Sequence, residues 1–299
     1  MIDGFTWDTQ AGARVVVAYD GSLGANAAID VAAKLVPTAQ AAVTYLWTAP
    51  PLDPGARQHL SRQVSSVTEF ADAIEREGAH QAGLVTRTGA ALAQAVGWRA
   101  GTVRQRTFGG EGIALASVVE ELGAHLVVTG SRGLAGAPAA LGSVSDLVVH
   151  HSPAPVLVVP QPLLSAEYEA VARGPVVVGW DGSHGARAAL RTAADLFPDR
   201  EVVVAAVGSD EEATDLDTAT LPDREVARLR RPARQPPLAR GIAGELRESA
   251  QELRAGVVVV GSRGRSTVRE LLLGSVAMAT LHHAHRPVLV VPAGTGAPA

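Results

Sequence analysis

An α/β fold of two tandem, doubly wound parallel-sheet domains is predicted by three features of the sequence. The chain repeats itself: RVVVAYDGSLGANAAIDVAAKLV from Arg14 matches PVVVGWDGSHGARAALRTAADLF from Pro175, HLVVTGSRG from His125 matches GVVVVGSRG from Gly256, and PVLVVP recurs at Pro155 and Pro287. A repeat this long means domain duplication rather than a solenoid. Short runs of Val, Ala and Leu without polar alternation suit strands buried on both faces. Helical stretches separate those runs, which gives right-handed crossovers and helices on both sides of a parallel sheet.

In chain order the first half predicts strands at Val15–Tyr19, Ala42–Leu46, Leu126–Thr129 and Val156–Val159. Its helices fall at Ala25–Leu35, over much of Ser61–Val96, and at Ile113–Leu122. The second half predicts strands at Val176–Gly179, Val202–Ala206, Val257–Val260 and Val288–Val291, with helices at Ala186–Leu196, Ala239–Leu253 and Ser275–His283. Arg224–Leu229 is the candidate for its third strand, although Pro232, Pro236 and Pro237 follow at once. Asp20 and Asp181 lie 161 residues apart but Gly130 and Gly261 only 131, so the second domain is shortened by 30 residues between its first βα unit and its glycine motif. The expected domains are residues 1–163 and 164–299, with Pro162 and Gly174 interrupting the pattern in the linker. The apolar runs at Val156–Val159 and Val288–Val291 would need covering at a sheet edge, and pairing with each other meets that need.

The chain has 299 residues, 47% of them hydrophobic and 19% charged, enough apolar material for two cores. With 30 acidic and 26 basic side chains the net charge is −4, which gives no overall pull toward nucleic acid or anionic membrane. There is no cysteine, which excludes disulfides, thiolate catalysis and Cys-ligated metals. No apolar run is long enough to span a bilayer, and Asp3 and Asp8 stand where a signal peptide would be basic. A cytoplasmic protein with a frayed tail at Gly294–Ala299 is expected.

The strongest chemical signal is GSRGRSTVRELLLGS, Gly261–Ser275, which follows a buried strand and opens a helix. Gly261 and Gly264 let the backbone turn sharply and approach a ligand closely. Gly274 and Ser275 would then offer N–H groups and a hydroxyl at a helix N-terminus, a geometry that binds phosphate without lysine. The site lies beyond the carboxyl end of a strand, where open α/β sheets bind ligands. The alternative is an ordinary glycine-rich turn with a Ser cap; the length, repetition and position of the pattern weigh against it. GxGxxG after the first strand and GxxxxGK[ST] are both absent, which sets aside Rossmann dehydrogenases and P-loop NTPases.

Gly-x-x-Gly, nine residues, then Gly-Ser resembles the nucleotide-binding signature of the ATP-binding universal stress proteins. Val-x-x-Asp-Gly-Ser (Val17–Ser22, Val178–Ser183) and the closing PVLVVP are similar to that family too, so the likeness covers nearly the whole chain. The resemblance implies five-stranded domains of the adenine-nucleotide alpha-hydrolase-like kind, ATP or ADP as ligand with or without Mg2+, pairing of domains through the last strand, and a role in stress survival rather than rapid catalysis. Carried over, Asp181 would contact the adenosine part, Gly261, Arg263 and Gly264 would line the phosphate loop, and Gly274, Ser275 and the Val276 backbone would hold the phosphates. In the first half these roles fall to Asp20, Gly130, Arg132, Gly133, Gly142 and Ser143, with Ser145 as an extra hydroxyl where the second half has Ala277. The first loop is one residue short, with eight residues between Gly133 and Gly142, so the second-half loop is the safer site and the two affinities should differ.

Other candidates read more blandly. Asp20 and Asp181 also suit Asx turns capped by Ser22 and Ser183. His150–His151 and His282–His283 fit helix C-termini better than a metal site. Arg228, Arg230, Arg231, Arg234 and Arg240 lack the interleaved aromatics of a nucleic-acid surface and read, with the acidic run Asp210–Asp217, as a solvated loop region. No general base, metal cluster or oriented nucleophile stands out, so no catalytic or metal residue is assigned. The expected function is a nucleotide-gated regulator with slow or no hydrolysis, its chains single or paired as a homodimer. A nucleotide-free interaction scaffold and a slow ATP hydrolase or phosphotransferase are the alternatives.

Overall fold

The computed structural model describes residues 5–8, 12–49, 54–132, 141–208, 219–222, 224–232, 239–264 and 273–294. The first half runs β1 (Ala13–Ala18), α1 (Leu23–Leu35), β2 (Ala39–Trp47), α2 (Pro54–Ser61), α3 (Val67–Ala95), β3 (Arg99–Arg106), α4 (Glu111–Leu122), β4 (Leu126–Gly130), α5 (Ser143–His151) and β5 (Val156–Val159). A helix, α6 (Ser165–Arg173), leads into β6 (Val176–Trp180), α7 (His184–Leu196), β7 (Val202–Gly208), β8 (Ala227–Pro232), α8 (Ala239–Glu252), β9 (Val257–Gly261), α9 (Ser275–His283) and β10 (Val288–Val291).

The described strands form one ten-stranded sheet in the order β3-β2-β1-β4-β5-β10-β9-β6-β7-β8. Each half has the same parallel order, and the halves join where β5 and β10 pair antiparallel, Val158 opposite Val288, Leu157 opposite Leu289 and Val156 opposite Val290. The expected pairing of terminal strands is therefore present, and it turns two apolar edges into the middle of the sheet. Leu157 and Leu289 at this seam are essentially fully buried.

The strands lack polar alternation because both faces are covered. Val15 and Val17 pack in the core layer beneath α1 and α7, while Val16 packs in the opposite layer with α4, α5 and α8. Each such side chain contributes about 1.5–3 kcal/mol relative to exposure.

Three features add to or correct the reading of the sequence. First, the linker contains a helix that the sequence pattern leaves unassigned: α6 docks on α1, where the Tyr168 hydroxyl donates to Asp30 Oδ2 at 2.7 Å and Lys34 Nζ donates to Asp30 Oδ1 at 2.6 Å. Arg200 then clasps the halves, donating from Nη2 to the Lys34 carbonyl at 2.9 Å and from Nη1 to the Gly174 carbonyl at 3.1 Å. Second, the fifth strand that the resemblance implies for the first half, to which the sequence pattern gives no residues, is β3, an outer strand that carries the polar sequence RAGTVRQR with only Val103 fully buried. Third, the candidate third strand Arg224–Leu229 is present as the edge strand β8, displaced to Ala227–Pro232, so that Arg228, Arg230 and Arg231 sit in a strand rather than in a loop and Pro232 is tolerated at its end. Arg234 and Asp210–Asp217 lie outside the described residues.

The shortening of the second half falls on α2 and α3, which have no counterpart among the described residues between β7 and β8. In their place Ala219 and Val226 enter the core layer, and Arg228 Nη2 donates to the Ala219 carbonyl at 3.1 Å.

A pH-sensitive contact at the amino end of β1 belongs to the first half alone. Arg14 donates from Nη2 at 2.7 Å and Nε at 3.0 Å to His125 Nε2, a lone pair that only neutral imidazole offers. Burial first, and the Arg14 charge second, hold the His125 pKa below its ordinary value. The unfolded chain therefore takes up this proton more readily than the folded one. The stabilisation is complete above the unfolded pKa of about 6.5 and is lost as pH falls through that value toward the depressed folded one. Denaturant midpoints taken from pH 7.5 down to 5 are expected to fall less steeply in His125→Gln, which still accepts from Arg14 but does not titrate. Equal slopes in the two proteins would remove His125 as the cause.

Candidate functional site

The carboxyl end of β1 delivers Asp20 into a turn. Gly21 takes a left-handed conformation, φ 81°, and Asp20 Oδ1 accepts from the Ser22 amide at 2.9 Å. Ser22 Oγ then accepts from the Ala25 amide at 3.1 Å and caps α1. The second half copies each contact, with Asp181 Oδ1 accepting from Ser183 N at 3.0 Å and Ser183 Oγ accepting from Ala186 N at 3.1 Å. Both aspartates are thus Asx-turn residues whichever ligand they meet.

The turn after β4 lies directly on the start of α1. A Cβ on Gly24 would stand 2.6 Å from the Arg132 carbonyl oxygen, and one on Gly130 would stand 2.9 Å from the Gly24 carbonyl carbon. The second half is tighter: Gly185 leaves 2.1 Å to the Arg263 carbonyl oxygen, and Gly261 leaves 2.6 Å to the Gly185 carbonyl carbon. Gly264 brings its backbone against Asp181, whose Oδ2 would stand 2.7 Å from an added Cβ. Gly24 and Gly185 were missed as site-building residues, although they repeat at the same 161-residue spacing as the aspartates.

The start of α5 corrects one expectation. The Gly142 amide donates inward to the Ser131 carbonyl at 2.8 Å, and the Gly274 amide donates to the Ser262 carbonyl at 2.7 Å, so neither is free for phosphate. These bonds pin the cap, and the open donors are the next three. Among the described residues nothing accepts from the amides of Ser143, Val144 and Ser145, or from those of Ser275, Val276 and Ala277. Ser145 is a second correction, because its buried hydroxyl donates to the Gly130 carbonyl at 2.7 Å and touches Thr129 Oγ1 at 3.1 Å. Its amide, not its hydroxyl proton, remains available.

A cleft of about 320 Å³ opens between these parts in the first half. Asp20 and Ser22 line it from the α1 side, Gly130 and Arg132 from the end of β4, and Gly142 to Ser145 from the start of α5. Arg132 Nη1 donates to the Gln161 carbonyl at 3.3 Å, while its buried Nε has no partner. Open helix amides and an arginine lining one cleft make a surface suited to an anion.

A model of the universal stress protein family matches residues 13–160 and again residues 173–292. The chain belongs to the universal stress protein family. Universal stress protein Rv2005c of Mycobacterium tuberculosis is 36% identical over 183 residues, which cover 56% of this chain and 61% of that protein. The match thus spans less than two thirds of that relative's length. Universal stress protein Rv1996 of the same organism is 28% identical over 324 aligned positions, covering 97% of this chain and 99% of that protein. The crystal structure of a universal stress protein from Archaeoglobus fulgidus aligns with a TM-score of 0.68 at 19% identity, over 94% of this chain and 98% of that one, and so shares the fold.

Within this universal stress protein the two halves differ around the same frame. The first cleft is lined by Thr44, Tyr45 and Leu46 from the end of β2 and by Glu111 and Leu115 from α4, none of them singled out by the sequence. Strand register places Ala205 and Ala206 where Thr44 and Tyr45 stand, and the 131-residue offset places Ile242 at Glu111 and Leu246 at Leu115. Burial first and the Asp20 charge second raise the Tyr45 pKa, so its phenol stays a neutral donor. Gly133 of the first loop, and residues 265–272 of the second, lie outside the described residues. Arg263, Ser275 and Val276 occupy the same places relative to β9 and α9 as Arg132, Ser143 and Val144 do relative to β4 and α5. Among the described residues no group of three or more His, Asp or Glu is placed to hold a metal ion, and no helix is long and apolar enough to cross a membrane.

Proposed function

We propose that the chain binds adenine nucleotide, ATP or ADP, at the carboxyl end of β1 and β4 and at the matching place on β6 and β9. The single observation carrying this reading is the set of first-turn amides of α5, without an acceptor among the described residues, at a cleft that Asp20 and Arg132 also line. Those amides and Arg132 would hold the phosphates. The cleft wall at Asp20 and Tyr45 would take the nucleoside through a carboxylate acceptor and a phenol donor. Asp181, Gly261, Arg263, Gly264, Ser275 and Val276 would repeat the arrangement in the second half.

The chemistry on offer is binding rather than turnover. Among the described residues lining the cleft there is neither histidine nor lysine, and Ser145 and Thr129 have their hydroxyls bonded within the protein. Any hydrolysis is therefore slow, and nucleotide acts by fixing the turn after β4 against α1, a shift in population that a partner reads. The deciding experiment is chromatographic identification of ligand released from the denatured, purified protein, together with thermal shifts in ATP, ADP and AMP. Adenine nucleotide in the extract, or a shift with any of the three, is expected. An empty extract and no shift at millimolar concentration would favour the nucleotide-free scaffold.

A further inference from the structure

We propose that Glu111 makes nucleotide binding in the first cleft depend on a divalent cation, so that this half takes the nucleotide as its Mg2+ complex while the second half does not require one. The inference rests on the nucleotide reading above and goes beyond it to the charge state of the ligand. Glu111 is the first residue of α4, and α4 begins hard against α5: a Cβ on the adjoining Gly112 would stand 3.0 Å from the Val144 carbonyl oxygen and 2.2 Å from Leu147 Cβ. Glu111 thus lines the same cleft as Ser143, Val144 and Ser145, whose amides are open. A carboxylate sharing a cleft with phosphates opposes a bare polyanion. It becomes favourable once a small hard cation bridges it to phosphate oxygens, the usual setting for Mg2+, which is held by one or two carboxylates plus substrate phosphates and several waters. In the second half the matching position is Ile242, which neither repels phosphate nor ligates metal.

The test uses the full chain carrying Gly274→Asp, which silences the second site, and measures ADP affinity by calorimetric titration in excess Mg2+ and in EDTA. In that background the first site is expected to bind ADP about tenfold or more tightly with Mg2+ than without. Adding Glu111→Gln is expected to tighten binding in EDTA and to remove most of the Mg2+ dependence. The same Mg2+ dependence with Glu111→Gln as without it, or unchanged affinity in EDTA, overturns the inference and leaves the nucleotide reading standing. No ADP binding to the unmodified chain in either buffer, with no ATP or AMP binding, sinks the nucleotide reading itself. Circular dichroism of Glu111→Gln separates lost binding from lost fold, since the exchange is nearly isosteric.

Discussion

Replacing Gly142 by aspartate is expected to leave the ligand-free chain at least as stable as before and to abolish the first site's response to nucleotide. Gly142 sits at the N-cap of α5 with φ −65° and ψ 149°, an extended conformation open to any residue. Aspartate is a strong N-cap, and its carboxylate would accept from the amides of Val144 or Ser145, the donors assigned to phosphate. The cap gain over glycine is a few tenths of a kcal/mol. The loss is larger: ligand at one hundred times its dissociation constant stabilises a site by about 2.7 kcal/mol, and that increment disappears. Gly274→Asp does the same in the second half, where Gly274 has φ −61° and ψ 145°. Scanning calorimetry with ADP should show two partial responses in the single variants and none in the double variant. An undiminished shift in the double variant would mean that these helix starts are not where phosphate binds.

Gly185→Ala is expected to cost far more in stability than its one added methyl suggests. Its Cβ would lie 2.1 Å from the Arg263 carbonyl oxygen, a backbone atom that cannot swing aside. Overpacking of this kind costs about 1–3 kcal/mol or more, and relief requires the turn after β9 to lift off α7. The variant should therefore lose both melting temperature and nucleotide response. Gly24→Ala, with 2.6 Å to the Arg132 carbonyl oxygen, should follow the same course more mildly. Gly244→Ala is the control, since nothing lies within 4 Å of its added Cβ in α8. There alanine should raise stability by about 0.5–1 kcal/mol through its helix preference. Equal melting temperatures for Gly185→Ala and Gly244→Ala would show that the contact at Arg263 gives way freely.

The frame of the fold was legible because burial on both faces leaves a plain trace: uninterrupted runs of valine and leucine at Val15–Val17, Val156–Val159 and Val288–Val291 read as interior strands. The seam followed from the same runs, since two such edges in one chain need each other. β3 was expected in number but could not be placed, because an outer strand covered mainly on one side carries a polar sequence, and α6 was hidden by the Pro162 and Gly174 that bracket it. The glycine turns and their aspartates were visible through repetition. What they do was only half visible: Gly142 and Gly274 were read as free donors, yet their N–H groups close onto Ser131 and Ser262. The shift of one residue, from the cap to the first turn, depends on a backbone bond that no residue type announces. Tyr45 and Glu111 were invisible for a different reason, since they reach the cleft from β2 and α4 and break the repeat rather than follow it.

Antiparallel pairing of β5 with β10 has a consequence for whatever reads this molecule. Strands within each half run one way, and the two halves run against each other. The carboxyl ends of β1 and β4 consequently point to one edge of the sheet and those of β6 and β9 to the opposite edge. Under the proposed function, a partner docked at one edge would meet one site only, and sensing both would take contacts at both ends of the molecule.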